Sequence, residues 1–173
     1  MPKQPAAKKQ PDARVGLISD THGLLRPEVL RVFEGVDLIV HAGDVGGGVL
    51  DLLATLAPVE AVYGNVDDAD DPALRRERVV PVGGLLLHVS HGHELGSPTP
   101  SLVAARYDGD ILVFGHTHRA VVAELPGPAG GRRLVVNPGA AGPKRFDVVP
   151  SVALLTVLAG KAAVEIIELR IRS

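Results

Sequence analysis

Asp20 and His22 stand two residues apart, directly after the apolar run Val15-Gly16-Leu17-Ile18-Ser19. Four later stretches carry matching chemistry: Gly43-Asp44, Gly64-Asn65, His91-Gly92-His93 and Gly115-His116-Thr117-His118. Asp20, His22, Asp44, Asn65, His91, His116 and His118 together offer four imidazoles, two carboxylates and an amide. That mixed nitrogen and oxygen set suits divalent metals of intermediate hardness. It is too large for one ion and fits two that share a bridging carboxylate. Singly, each piece has an ordinary reading: Gly-Asp and Gly-Asn are common turn pairs, and loop histidines are often merely solvated. The ordered set is what points to a metal centre.

These residues must be brought to one place, and the elements before them can do that. Each motif follows an apolar, β-branched segment, so each reads as the loop leaving a buried strand, and such loops converge at one sheet edge. Residues 14–19, 37–41 and 59–63 read as buried parallel strands, alternating with helices over 28–33 and 49–56. After Asn65 comes a polar loop with Asp67, Asp68, Asp70 and Asp71, read as a solvated acidic stretch. Residues 78–82 and 85–90 then form a hairpin around Gly83-Gly84. A short helix over 100–107 and a strand over 111–114 follow, and then strands at 120–124, 133–136, 151–158 and 162–169. The expected fold class is α/β, a four-layer αββα sandwich of two mixed sheets flanked by helices.

Composition bounds the function classes. At 173 residues the chain suits one domain, at about 150 residues per domain. We read residues 14–173 as that domain and residues 1–13, polar and rich in Pro, Ala and Lys, as a disordered tail. Without cysteine there is no disulfide, thiolate ligand or cysteine nucleophile. A formal net charge of −2 gives no bulk attraction for nucleic acid or anionic membrane. No apolar stretch reaches the roughly 20 residues of a spanning helix, and residues 1–13 lack a signal core, so a cytoplasmic protein is expected. Gly43 to Gly48 lacks the Lys-Ser/Thr of a nucleotide loop, and the aspartates after Asn65 lack a calcium loop's pattern.

The series Asp-x-His, Gly-Asp, Gly-Asn, His-Gly-His and Gly-His-x-His resembles the calcineurin-like metallophosphoesterases. Phe114-Gly-His-Thr-His118 and the following Asn137-Pro138-Gly139 resemble in particular their small bacterial and archaeal phosphodiesterase branch. The resemblance implies the metallo-dependent phosphatase fold and two divalent ions. One would be held by Asp20, His22, Asp44 and His118, and the other by Asp44, Asn65, His91 and His116. It also implies hydrolysis of a small phosphodiester by a hydroxide bridging the two metals, with Asp44 central to catalysis. Manganese is the expected ion, with nickel, cobalt, iron and zinc as alternatives.

One departure from the family matters: many relatives follow Gly-Asn with a histidine that protonates the leaving group, and here Val66 stands there. Valine donates no proton, so diesters with good leaving groups are expected over alkyl monoesters. His93, His41, Asn137 and Arg119 are weaker candidates, for substrate contact or for supporting the ligands. Arg26 and Lys144 are further cations that could reach a phosphate. The chain is also similar in fold to the retromer metallophosphoesterase-like subunit. That makes a metal-binding scaffold for protein partners the alternative, with a phosphomonoesterase last. A homodimer or higher oligomer is expected from the same resemblance.

Overall fold

The computed structural model describes residues 10–170. The chain opens as β1 (Ala13–Ile18), α1 (Pro27–Val32), β2 (Leu38–His41), α2 (Val49–Ala54) and β3 (Val59–Ala61). It continues through β4 (Glu77–Val82), β5 (Leu85–Ser90), α3 (Pro100–Arg106) and β6 (Ile111–Val113). It closes with β7 (Val121–Pro126), β8 (Arg132–Asn137), β9 (Ser151–Leu158) and β10 (Lys161–Glu168). Two five-stranded mixed sheets result, ordered β10-β9-β1-β2-β3 and β4-β5-β6-β8-β7. Neighbouring β1, β2 and β3 run parallel, as do β5, β6 and β8, while β4, β7, β9 and β10 pair antiparallel.

Strand alternation builds the layers. Val15 and Leu17 of β1 point between the sheets, where they meet Leu87 and Val89 of β5 and Ile111 and Val113 of β6. Ile18 faces the other way, into a second cluster with Val29 and Phe33 of the α1 region and Val49 and Leu53 of α2. Gly16 lies on that outer face because the Phe33 ring occupies its side-chain space; a Cβ there would meet the ring at 2.9 Å. On the far sheet, Leu112, Phe114 and Val135 pack under Val103 and Tyr107 of the α3 region. The four-layer order of helix, sheet, sheet and helix is therefore present.

Two details differ from the sequence reading. Residues 1–9 of the expected tail lie outside the described residues. Asp12 and Ala13, also assigned to the tail, belong to the sheet. The Asp12 amide donates to Val157 at 2.8 Å, its carboxylate accepts from the Ala159 amide at 2.8 Å, and Ala13 pairs with Val157. Their partner is 144 or more residues away, so local composition hides it. The second detail is β3, which ends at Ala61 because Val62 instead bridges to Arg75. Among the described residues no helix is long and apolar enough to cross a membrane.

Candidate metal centre

The loops after β1, β2, β3, β5 and β6 meet at one rim and bring all seven candidate ligands together. Asp20 is fully buried, and its Oδ2 is occupied by the Ser19 hydroxyl at 2.6 Å and the His116 amide at 3.2 Å. Its other oxygen, Oδ1, is buried without a hydrogen-bond partner and lies 3.2 Å from His118 Nε2. His22 Nε2 is likewise buried and unpartnered, 3.8 Å from Asp44 Oδ2. Asp20, His22 and His118 thus form one lobe.

A second lobe lies across Asp44. His91 Nε2 is 3.4 Å from Asp44 Oδ2, and Asn65 Oδ1 is 3.1 Å from both His91 Nε2 and His116 Nδ1. His91 Nδ1 sits 2.7 Å from the Ala42 carbonyl, which cannot donate, so this nitrogen carries the proton. Nε2 then faces Asp44 and Asn65, where it can carry a proton in the metal-free cluster and give that proton up to ligate a metal. Asp20 Oδ1 is 4.0 Å from the same nitrogen, so the lobes are contiguous. Buried carboxylates and imidazole nitrogens packed this closely are costly unless a cation, whether a proton or a metal ion, lies between them. This donor set fits divalent ions.

The titration behaviour agrees. Burial pushes Asp44 up, but the hydrogen bond and charge of His91, the Val66 amide and His22 outweigh it and hold Asp44 down to about 2. Burial pushes His91 down, yet Asp44 and Asp20 prevail and raise it. His116 is lowered, by burial and then by His91. Without metal the cluster already draws positive charge to itself.

Backbone geometry shows how tightly the loops are drawn in. Asp20, His22, Asp44, His116 and His118 all have φ between 46° and 70°. This left-handed region is uncommon for side-chain-bearing residues and persists only where surroundings impose it. The motif glycines are needed for close approach. A Cβ at Gly64 would overlap Asp44 Oδ1, and one at Gly115 would overlap the Ser19 hydroxyl.

Three buried groups brace this arrangement. Thr21 Oγ1 gives its only proton to the Val45 carbonyl at 2.6 Å, so it accepts from His41 Nε2 at 2.9 Å. His41 Nδ1 accepts the Gly43 amide at 3.2 Å. The ring is therefore neutral and ties the first loop to the second; being fully buried, it does not meet substrate. Asn137 is also fully buried, and its amide donates to Gly115 O and Thr117 Oγ1, each at 3.0 Å, holding the Gly-His-Thr-His loop.

Residues 14–160 match the calcineurin-like phosphoesterase superfamily domain. The chain belongs to that superfamily. A probable metallophosphoesterase of Methanothermobacter thermautotrophicus is 35% identical over 164 residues, covering 88% of this chain and 91% of its own. One from Methanocaldococcus jannaschii is 34% identical over 136 residues, covering 72% and 66%. Among solved structures, Vps29 of Entamoeba histolytica complexed with zinc has a TM-score of 0.68 at 27% identity, covering 90% of this chain and 98% of its own. The superfamily match stops at 160, but β10 pairs along its whole length with β9 and belongs to the same sheet.

Other residues of this phosphoesterase stand apart from the ligand cluster. His93 has its ring centroid 5.4 Å from that of His91 and 6.3 Å from that of His116, at the edge of the second lobe. Its neighbour Glu94 is held by the Tyr107 hydroxyl, and Tyr107 stacks on His88 at 4.3 Å. Arg119 lines the cleft above the centre, whereas the Arg26 guanidinium is bound to the Gly142 carbonyl at 3.0 and 3.2 Å. Lys144 lines a different cleft, with Arg26 and Arg170. The sequence reading missed Arg145 and Phe146 at the cleft mouth, since they belong to no motif.

It also misjudged Asp67, which is not simply solvated. Its carboxylate accepts from the amides of Val45 at 3.0 and 3.1 Å, Gly46 at 3.3 Å and Gly64 at 2.8 Å. One side chain thereby locks the Asp44 loop to the Asn65 loop. The available signal was a carboxylate just after Gly-Asn, beside loops rich in glycine amides.

Two outcomes follow from the bracing. Asp67→Ala strands amide donors and is expected to cost about 1–3 kcal/mol of stability and about 10- to 100-fold in metal affinity. Asp68→Ala is expected to change neither; denaturation and metal titration of both variants check this. Burial pushes His41 down from 6.5 to about 4, so between those values the unfolded chain takes a proton that the native state refuses. Stability from this group is full above about pH 6.5 and is lost as pH falls toward 4, by about 3 kcal/mol at 1.36 kcal/mol per unit. Urea unfolding of metal-free protein and its His41→Gln variant at pH 7 and pH 4.5 should show the wild type losing more.

Proposed function

We propose that this metallophosphoesterase hydrolyses phosphodiesters at a pair of divalent ions that share Asp44. The observation that carries the reading is the place of Asp44 between the lobes, its Oδ2 facing His22 on one side and His91 on the other. Asp20, His22 and His118 would hold one ion together with Asp44, and Asn65, His91 and His116 the other. The mixed nitrogen and oxygen donors suit manganese, with nickel, cobalt, iron and zinc as alternatives. When bound, such ions would supply Lewis acidity toward phosphoryl oxygens and make water a stronger nucleophile near neutral pH.

The chain's own residues set the rest of the chemistry. The Val66 amide donates to Asp44 Oδ1 at 3.1 Å and fixes the rotation of the shared carboxylate. The Val66 side chain, 63% exposed at the cleft, offers no proton to a leaving group. A water oxygen bonds to phosphorus as the bond to the leaving oxygen breaks; the water's proton passes to solvent, and the leaving oxygen departs as an anion because position 66 offers no donor. Selection for good leaving groups follows. Arg119 and Arg145 line the same cleft and oppose the negative charge of a phosphodiester.

A second reading is favoured by the likeness to Vps29 structures, such as that of Cryptosporidium parvum at a TM-score of 0.72 and 25% identity. It retains the metal cluster in a scaffold for protein partners. Hydrolysis of bis(p-nitrophenyl) phosphate and of p-nitrophenyl phosphate by metal-stripped protein separates the two. Added manganese should restore cleavage, the diester should be the better substrate, and Asp44→Asn should lose at least about 100-fold. No cleavage with manganese, nickel, cobalt, iron or zinc would favour the scaffold.

A further inference from the structure

Phe146 is 94% exposed, more than any other large apolar side chain described, and its φ is 51°. A left-handed backbone is unfavourable for an aromatic residue, and this ring gains no burial in return. It sits at the tip of a tight turn closed by the Val148 amide donating to Arg145 O at 3.1 Å, with Arg145 and Val148 bridged. The base of the loop is pinned to the metal centre: Ala141 donates to Ser19 O at 2.9 Å and Gly142 to Asp20 O at 3.2 Å. The ring is therefore presented from a fixed anchor.

It lines the same cleft as the candidate ligands: a cleft of about 500 Å³ is lined by His22, Asp44, Asn65 and His116 and also by Arg119, Arg145 and Phe146. Phe146 and Arg119 also line an adjoining cleft of about 480 Å³ that runs over Ser151 and Ile166. Arginine ion pairs among the described residues are made by Arg78, Arg132 and Arg170, so neither Arg119 nor Arg145 has its charge met by a carboxylate. Two cations and an open aromatic face, placed beside a phosphoester centre, match a phosphate joined to a planar base. Base stacking on an exposed aromatic side chain does not depend on which base it is.

We infer that Phe146 is a stacking platform that selects phosphodiesters bearing a nucleobase, with Arg119 and Arg145 holding the phosphate. The inference rests on the phosphodiesterase reading and names its substrate class. Two diesters with the same leaving group test it: thymidine 5′-(p-nitrophenyl phosphate) and methyl p-nitrophenyl phosphate, on manganese-loaded protein. Phe146→Ala should lower kcat/KM for the thymidine ester by about 10-fold, through KM, and leave the methyl ester within about two-fold. Arg145→Gln should weaken both esters alike. Exposure of the ring keeps folding out of the comparison, and Phe146→Tyr should retain the preference. Equal effects of Phe146→Ala on the two esters, or no effect on either, would overturn the inference. If the wild type cleaves neither ester, the phosphodiesterase reading fails separately. Calorimetry with thymidine 5′-phosphate and methyl phosphate then decides: tighter nucleotide binding lost in Phe146→Ala supports the platform, and equal binding overturns it.

Discussion

Two buried carboxylates with imidazole nitrogens converging on them are the constraint on which the rest of the structure depends. Asp20 and Asp44 are 0% and 3% exposed, with the Nε2 atoms of His22, His91 and His118 turned toward them. Such an arrangement is unfavourable in isolation and stands only because the scaffold imposes it. The sheets set the loop origins, the glycines permit backbone to touch side chain, and Asp67, His41 and Asn137 join each loop to its neighbour. A cation relieves the electrostatic cost, and binding energy then becomes folding energy.

Strain and order are distributed unevenly around the rim. Five ligand positions hold left-handed backbone inside a dense hydrogen-bond network. Phe146 holds the same conformation outside it, on an exposed turn. The first kind is a cost of assembling the centre. The second presents a side chain to solvent at the mouth of the cleft. On the function proposed above, the rigid cluster would serve the phosphorus chemistry and the outer turn whatever is attached to the phosphate.

Most of the fold was legible because local patterns carry it. The apolar runs before Asp20, Asp44 and His91 mark β1, β2 and β5, and Gly83-Gly84 marks the β4–β5 hairpin. The gathering of the seven candidate ligands at one rim was legible because their motifs are short and occur at strand ends. Sheet order was not, since the pairing of β9 with β1 and the insertion of β8 between β6 and β7 depend on contacts far apart in sequence. Asp67 resembled its acidic neighbours because its role depends on where the Val45 and Gly64 amides come to lie. Asn137 was only a weak candidate because its bonds to the Gly115 carbonyl and the Thr117 hydroxyl depend on where distant loops come to lie. Arg145 and Phe146 carry no motif at all; only the folded loop puts them over the cleft.

The central claim is that one carboxylate joins two metal sites, and manganese provides a direct readout of that. Electron paramagnetic resonance of metal-stripped protein titrated with manganese distinguishes isolated ions from a coupled pair. The account predicts that the isolated-ion signal gives way, as the second equivalent binds, to an exchange-coupled spectrum that Asp44→Asn abolishes. Saturation at one equivalent with only the isolated-ion signal would contradict it.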